Sequence, residues 1–242
     1  MLDIRIIQVR NADDPMLEHE LDCITRRCEL ARGPVRLNLA NAITDEATEH
    51  WLDGQSAVII GGSGAYSVYS PEIKHQVAQL SSVIQACARR RLPLFGVCFG
   101  HQLIAESFGG SVKPDPKASE MGTVEMSLAP DGEKDPIFQD LPQTFEVQSG
   151  HSDSIVEPPT GAVALCHNDV GAYQAFRMND LPIYGTQFHC DLTGDEARAR
   201  YLAYRAEIAA KNGFDRGDAD IFRPGEDATT RLLATFLEKT AL

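Results

Sequence analysis

The stretch LPLFGVCFGHQLIAESFGG, Leu92 to Gly110, constrains the fold most. An apolar run fit for a buried strand ends at a cysteine boxed by glycines, and a helical run follows without a spacer. A strand that turns straight into a helix belongs to a βα unit, and the chain before it has the same character. IRIIQV (4–9) and SAVIIGG (56–62) are β-branched runs suited to buried strands, and PVRLNLA (34–40) alternates like a strand. LEHELDCITRRCEL (17–30) carries an apolar stripe at Leu17, Leu21, Ile24 and Cys28. A second helix is expected from Pro71 to Arg91, where Ile73, Val77, Leu80, Ile84 and Ala88 recur and Pro71 suits a first helical position. These runs predict an α/β fold: an open, mostly parallel sheet with helices on both faces.

After Gly110 the pattern changes. GTVEMSLAP, TFEVQSGH, AVALCHN, AYQAFRM and PIYGTQFH are strand-like and separated by turn residues, which predicts an antiparallel β extension at the sheet edge. Helices are expected near 194–211 and 226–238, with NGFDRGDADIFRPGED as a loop between them. No repeat or linker interrupts the pattern, so residues 1–242 read as a single domain.

A formal net charge of -13 argues against nucleic-acid and membrane-surface binding, both of which need clustered Lys and Arg. No apolar stretch approaches the ~20 residues that span a bilayer. MLDIRIIQVR lacks the features of a secretory signal, and six cysteines without a CxxC suit reduced thiols, so a cytoplasmic protein is expected. Cys166-His167 and His189-Cys190 are adjacent pairs that a strand would point to opposite faces. Neither a metal site nor a cofactor is expected.

Gly96-Val97-Cys98-Phe99-Gly100 has the spacing G-x-C-x-G, the thiol counterpart of a nucleophile elbow. A sharp strand-to-helix corner strains the backbone of the nucleophile and crowds its neighbours, which calls for glycine on both sides. The corner lifts sulfur above the carboxyl edge of the sheet, beside the first amides of the next helix. A packing cysteine in a βα turn would not need both glycines.

A thiol hydrolase also needs a base, and His189 is the favoured candidate. It ends the run PIYGTQF, with Asp191 two residues on to hold the imidazole tautomer. His151 with Asp153 in QSGHSDS is the rival pair, on a segment that reads as a loop. His101, three residues past the cysteine, is expected to tilt away. For a developing oxyanion the Phe99 amide is one donor, and the corner Gly61-Gly62-Ser63-Gly64 is the source proposed for a second, through Gly62 and Ser63; a plain tight turn is the alternative there.

Together these segments resemble the class I glutamine amidotransferase family. GVCFGHQ (96–102) is similar to its G-x-C-x-G-x-Q signature, IIGGSGAYSVY (59–69) to its glycine-rich oxyanion segment, and YGTQFHCD (184–191) to its Q-F-H-P-E motif. Within that family the chain is similar to stand-alone domains like the glutaminase part of GMP synthase, and the implied fold is flavodoxin-like. The resemblance implies a triad of Cys98, His189 and Asp191, with Asp191 where the family has Glu and Cys190 where it has Pro. It implies that Cys98 attacks the glutamine side-chain amide to form a γ-glutamyl thioester, and that His189 protonates the departing ammonia. It further implies that Gln102 contacts bound glutamine and that Gly150, His151 and Ser152 border its charged end.

About fifty residues follow the last motif, too few for an ATP-using domain, so ammonia would go to a separate synthetase subunit. The alternative within the enzyme class is a γ-glutamyl peptide or amine hydrolase with the same triad. Two further readings rank lower: a non-catalytic binding or regulatory protein, and a DJ-1/PfpI-like protein, in which a histidine rather than Phe99 would follow the cysteine.

Overall fold

The computed structural model describes residues 1–212 and 219–241. Among the described residues there are eleven strands: β1 (Leu2–Gln8), β2 (Val35–Asn41), β3 (Ala57–Ile60), β4 (Leu94–Val97), β5 (Ser111–Pro114), β6 (Glu120–Leu128), β7 (Thr144–His151), β8 (Asp153–Glu157), β9 (Ala162–His167), β10 (Ala175–Met178) and β11 (Ile183–Thr186). The helices are α1 (Leu17–Cys28), α2 (Lys74–Arg90), α3 (Phe99–Ser107), α4 (Gly194–Asn212) and α5 (Leu232–Thr240). Nine strands form one sheet in the order β2-β1-β3-β4-β11-β10-β9-β6-β7. Its first five strands are parallel neighbours, and every later step is antiparallel.

The strand alternation sorts side chains onto two faces. Ile4, Ile6, Ala57 and Ile59 pack with Ile24 of α1 and Phe236 of α5, whereas Ile7, Val58 and Ile60 pack with Leu80 and Ile84 of α2 and Leu103 of α3. Helices therefore cover both faces of the parallel half, as the sequence predicts. No helix among the described residues is long and apolar enough to cross a membrane.

Three expectations need correction. PIYGTQFH is not an edge hairpin: β11 lies in the middle of the sheet and pairs parallel with β4, Ile183 opposite Leu94 and Thr186 opposite Val97. QSGHSDS is not a loop, because β7 runs through His151 and β8 begins at Asp153. β6 supplies the partner that makes it a strand, with Glu120 opposite His151. The last helix starts at Leu232 rather than 226. Residues 213–218 of the expected 212–227 loop lie outside the described residues.

The elbow owes its shape to its glycines. A Cβ on Gly96 would meet the Gly100 carbonyl carbon at 2.4 Å, and one on Gly100 would meet the Ile60 carbonyl oxygen at 2.4 Å. Either substitution would push α3 off the ends of β3 and β4. Gly100 N–H donates to the Gly61 carbonyl at 3.2 Å and Cys98 N–H to the Thr186 carbonyl at 2.8 Å, so the corner is tied to the strands on either side of β4.

Candidate active site

Cys98 sits at φ 51° and ψ -98°, a conformation a non-glycine residue holds only when its surroundings over-determine it. It occupies the cap position of α3, and the first amides of that helix, Phe99's among them, lack intrahelical acceptors. Gln187 approaches the thiol, its Nε2 3.6 Å from Sγ. Gln187 is held in turn by Gln102, whose Nε2 donates to Gln187 Oε1 at 2.9 Å and to the Asp153 carbonyl at 3.0 Å. Gln102 thus braces a side chain that touches the nucleophile, a role that the resemblance does not suggest.

His189 lies beyond the end of β11, in the turn that precedes α4, rather than on the strand itself. Its N–H donates to the Gln148 carbonyl at 2.8 Å, which fixes the turn against β7. Nδ1 is 2.9 Å from Asp191 Oδ1, so the shorter acid reaches the imidazole. Arg200 of α4 approaches the second carboxylate oxygen, Nη2 to Oδ2 at 3.4 Å, and also stands 3.3 Å from His189 Nδ1. A ring nitrogen that donates to Asp191 cannot also accept from Arg200, so the guanidinium acts on the carboxylate and crowds the ring.

The electrostatics follow from this arrangement. Burial alone lowers the pKa of His189, but the charge and hydrogen bond of Asp191, with the thiol of Cys98 as a further partner, outweigh it and raise the group to about 9. Burial pushes Asp191 the other way, up, and is outweighed by His189 and Arg200, which hold the carboxyl well below its usual range. Cys190 between them is buried, its pKa raised far above the ordinary value first by desolvation and then by Asp191. It is a packed thiol.

Gly62 backs the thiol–imidazole pair: a Cβ there would stand 3.3 Å from His189 Cε1 and 3.9 Å from Cys98 Cβ. Its N–H is committed, however, donating to Glu20 Oε1 at 3.0 Å. Glu20 is wholly buried and paired with Arg10 through two contacts of 2.9 Å, with Gln8 Nε2 at 3.2 Å from the same carboxylate. The Gly62 amide is thus occupied in this conformation, while Ser63 and Phe99, the other expected donors, line the cavity. The corner is thus more than a tight turn: it is clamped by an ion pair from β1's end and α1, which no local motif announces.

The rival base is committed elsewhere. His151 places Nε2 3.1 Å from Glu120 Oε2 and Nδ1 3.0 Å from the Asp153 carbonyl. The Asp153 carboxylate accepts from Ser67 Oγ at 2.5 Å and Tyr69 Oη at 2.6 Å instead. Gly150, His151 and Ser152 do border the cavity, as does Ser149, whose buried hydroxyl has no partner. His101 tilts away, as expected. It is a buried residue of α3 itself, with Nε2 3.0 Å from the Tyr173 carbonyl, and desolvation lowers it to about 3.

Sequence reasoning missed Arg200, Gln187 and Glu20. Gln187 stands in TQFHCD and could have been noticed as the glutamine beside the base; Arg200 and Glu20 are ordinary charges on helices, without a local signal.

Residues 24–207 match the family model described as glutamine amidotransferase class-I. The chain is 32% identical over 141 residues to one subunit of the glutamine-hydrolysing GMP synthase from Thermococcus kodakarensis, a match covering 58% of this chain and 72% of the relative. It is 38% identical over 105 residues to the Pyrococcus abyssi protein of the same name, covering 43% and 54%. A crystal structure of a glutamine amidotransferase from Thermotoga maritima superposes with a TM-score of 0.72 at 20% identity, covering 98% of both chains, and shows that the fold is shared.

Proposed function

The chain belongs to the class I glutamine amidotransferase family, and from that premise we propose that it is a glutaminase-type amidohydrolase in which Cys98 is the nucleophile. One observation carries this reading: a thiol held at positive φ on a strand–helix corner, with a buried His189–Asp191 pair against it. Sγ attacks the side-chain carbonyl carbon of glutamine. The Phe99 and Ser63 amides receive the charge that develops on the carbonyl oxygen, where preorganised donors are worth several kcal/mol (about 3 for one donor). His189 carries the proton removed from the thiol and passes it to the departing nitrogen as the C–N bond breaks. Ammonia leaves, and a γ-glutamyl thioester remains on Cys98. Water, its proton taken by His189, then releases glutamate and restores the thiol.

Asp191 fixes the tautomer that puts a proton on Nδ1 and stabilises the imidazolium, and Arg200 keeps that carboxylate ionised. Gln187, braced by Gln102, orients the sulfur. The two curated relatives named above are subunits of a glutamine-hydrolysing synthase. By analogy, the ammonia produced here would pass to a separate synthetase subunit. The test is release of glutamate and ammonia from L-glutamine by the purified chain beside Cys98→Ala. Turnover that vanishes in the variant is the expected result; equal turnover by both proteins would overturn the assignment.

A further inference from the structure

We propose that the same site hydrolyses γ-glutamyl amides whose nitrogen bears a bulky, largely apolar substituent ending in a polar atom, an aralkyl amine being the model. The inference rests on the Cys98 thioester reading and names the leaving group that the cavity fits. That cavity has a volume of about 1090 Å³, at the upper limit of sites that enclose drug-sized ligands (roughly 300–1,000 Å³). A glutamine molecule fills only a small part of it.

The two walls differ in chemistry. Gln102 and the 149–153 segment make one wall polar. The other is built from Met121, Leu192, Ala197, Tyr201, Ile208 and Phe222, which pack as one apolar cluster with the Tyr201 and Phe222 rings 5.8 Å apart. Departing ammonia needs no such wall. His189, which protonates the leaving nitrogen, lines the same cavity as Ala197, Tyr201 and Phe222, and the departing amine is assigned to that apolar wall.

A second, independent observation points to a polar atom on that amine. Tyr201 is only 4% exposed and lines the cavity, yet its hydroxyl has no hydrogen-bond partner. A buried unpaired hydroxyl is costly, and a ligand atom that pairs with it recovers the loss. The reaction balances as a hydrolysis. Sulfur adds to the carbonyl carbon, the C–N bond breaks, and the free amine leaves with the proton from His189. Water then cleaves the thioester to glutamate and thiol.

The experiment compares kcat/KM for L-glutamine and the γ-glutamyl derivatives of methylamine, phenethylamine and tyramine, with amine release measured directly. The phenethylamide is expected to exceed the methylamide by tenfold or more, since about 10–200-fold is typical for a single added methylene in an apolar pocket. The tyramide is expected to exceed the phenethylamide, and Tyr201→Phe to erase that second difference. Ala197→Leu, which fills the apolar wall, is expected to lower the phenethylamide-to-methylamide ratio, and this holds even where Tyr201→Phe does not fold. Cys98-dependent turnover of glutamine or the methylamide, with the phenethylamide equal or worse, would overturn the inference and leave the glutaminase reading intact. Failure of every γ-glutamyl compound, with none protecting Cys98 from alkylation, would overturn both.

Discussion

The base of α3 and the turn before α4 each enclose a histidine, and the two end in opposite states. His101, against the Tyr173 carbonyl, is driven down to about 3 by desolvation and stays neutral. His189 is buried as well, but the Asp191 carboxylate overcomes the same penalty and raises it to about 9. Burial therefore does not assign the role; the partner's charge does. One histidine is a packing group whose ring lies 4.7 Å from that of Phe176 and tilted to it by 46°, and the other is the proposed proton carrier.

Asp191→Asn should turn the second histidine into the first. It removes the charge that offsets desolvation and lets the wrong tautomer form, so kcat/KM is expected to fall by roughly 10³–10⁴. A steady-state assay on any accepted γ-glutamyl substrate checks this, and a loss below tenfold would break the comparison. Arg200→Met comes next. The carboxylate keeps its imidazole contact and loses only a 3.4 Å partner, so a fall of about ten-fold is expected, with the alkaline limb of the rate profile shifted.

The wild-type profile itself carries a sign. As an acid His189 must be protonated, so kcat is expected to decline as pH rises through about 9. Its linked stability runs the same way: the folded value lies above the ordinary 6.5, so the contribution is complete below pH 6.5 and is lost by about pH 9. Denaturant midpoints measured across that window should drop for wild type and stay flatter for His189→Gln. The smallest effect on catalysis is expected from His101→Gln, which costs about 1–3 kcal/mol of stability through a buried group left ill-paired and changes kcat/KM only a few-fold.

The same contrast marks what could be read from the chain. The elbow was legible because its constraint is local: Gly96, Cys98 and Gly100 fall within five residues, and the contacts that forbid a Cβ follow from a strand meeting a helix. The runs of β1, β3 and β4 and the stripes of α1 and α2 were legible for the same reason. His189 and Asp191 were readable as an i, i+2 pair. What makes that pair work was not. Arg200 lies a helix away, Gln187 reaches Cys98 across 89 positions, and Glu20 reaches Gly62 across 42. Direction was invisible too, since an apolar run of four residues such as Ile183–Thr186 looks alike in a parallel and an antiparallel pairing. β5 and β8 escaped because SVKP ends in proline and DSIVE follows a glycine- and serine-rich segment, so only their mutual pairing makes them strands.

The central claim is that Cys98 carries the γ-glutamyl group during turnover. The most direct measurement is the mass of the intact chain, acid-quenched milliseconds after mixing with an accepted γ-glutamyl amide, followed by peptide mapping. The account predicts a transient increase equal to one γ-glutamyl group, located on the peptide holding Cys98 and lost in Cys98→Ala. Full turnover by Cys98→Ala, or an adduct mapped to another residue, would contradict it.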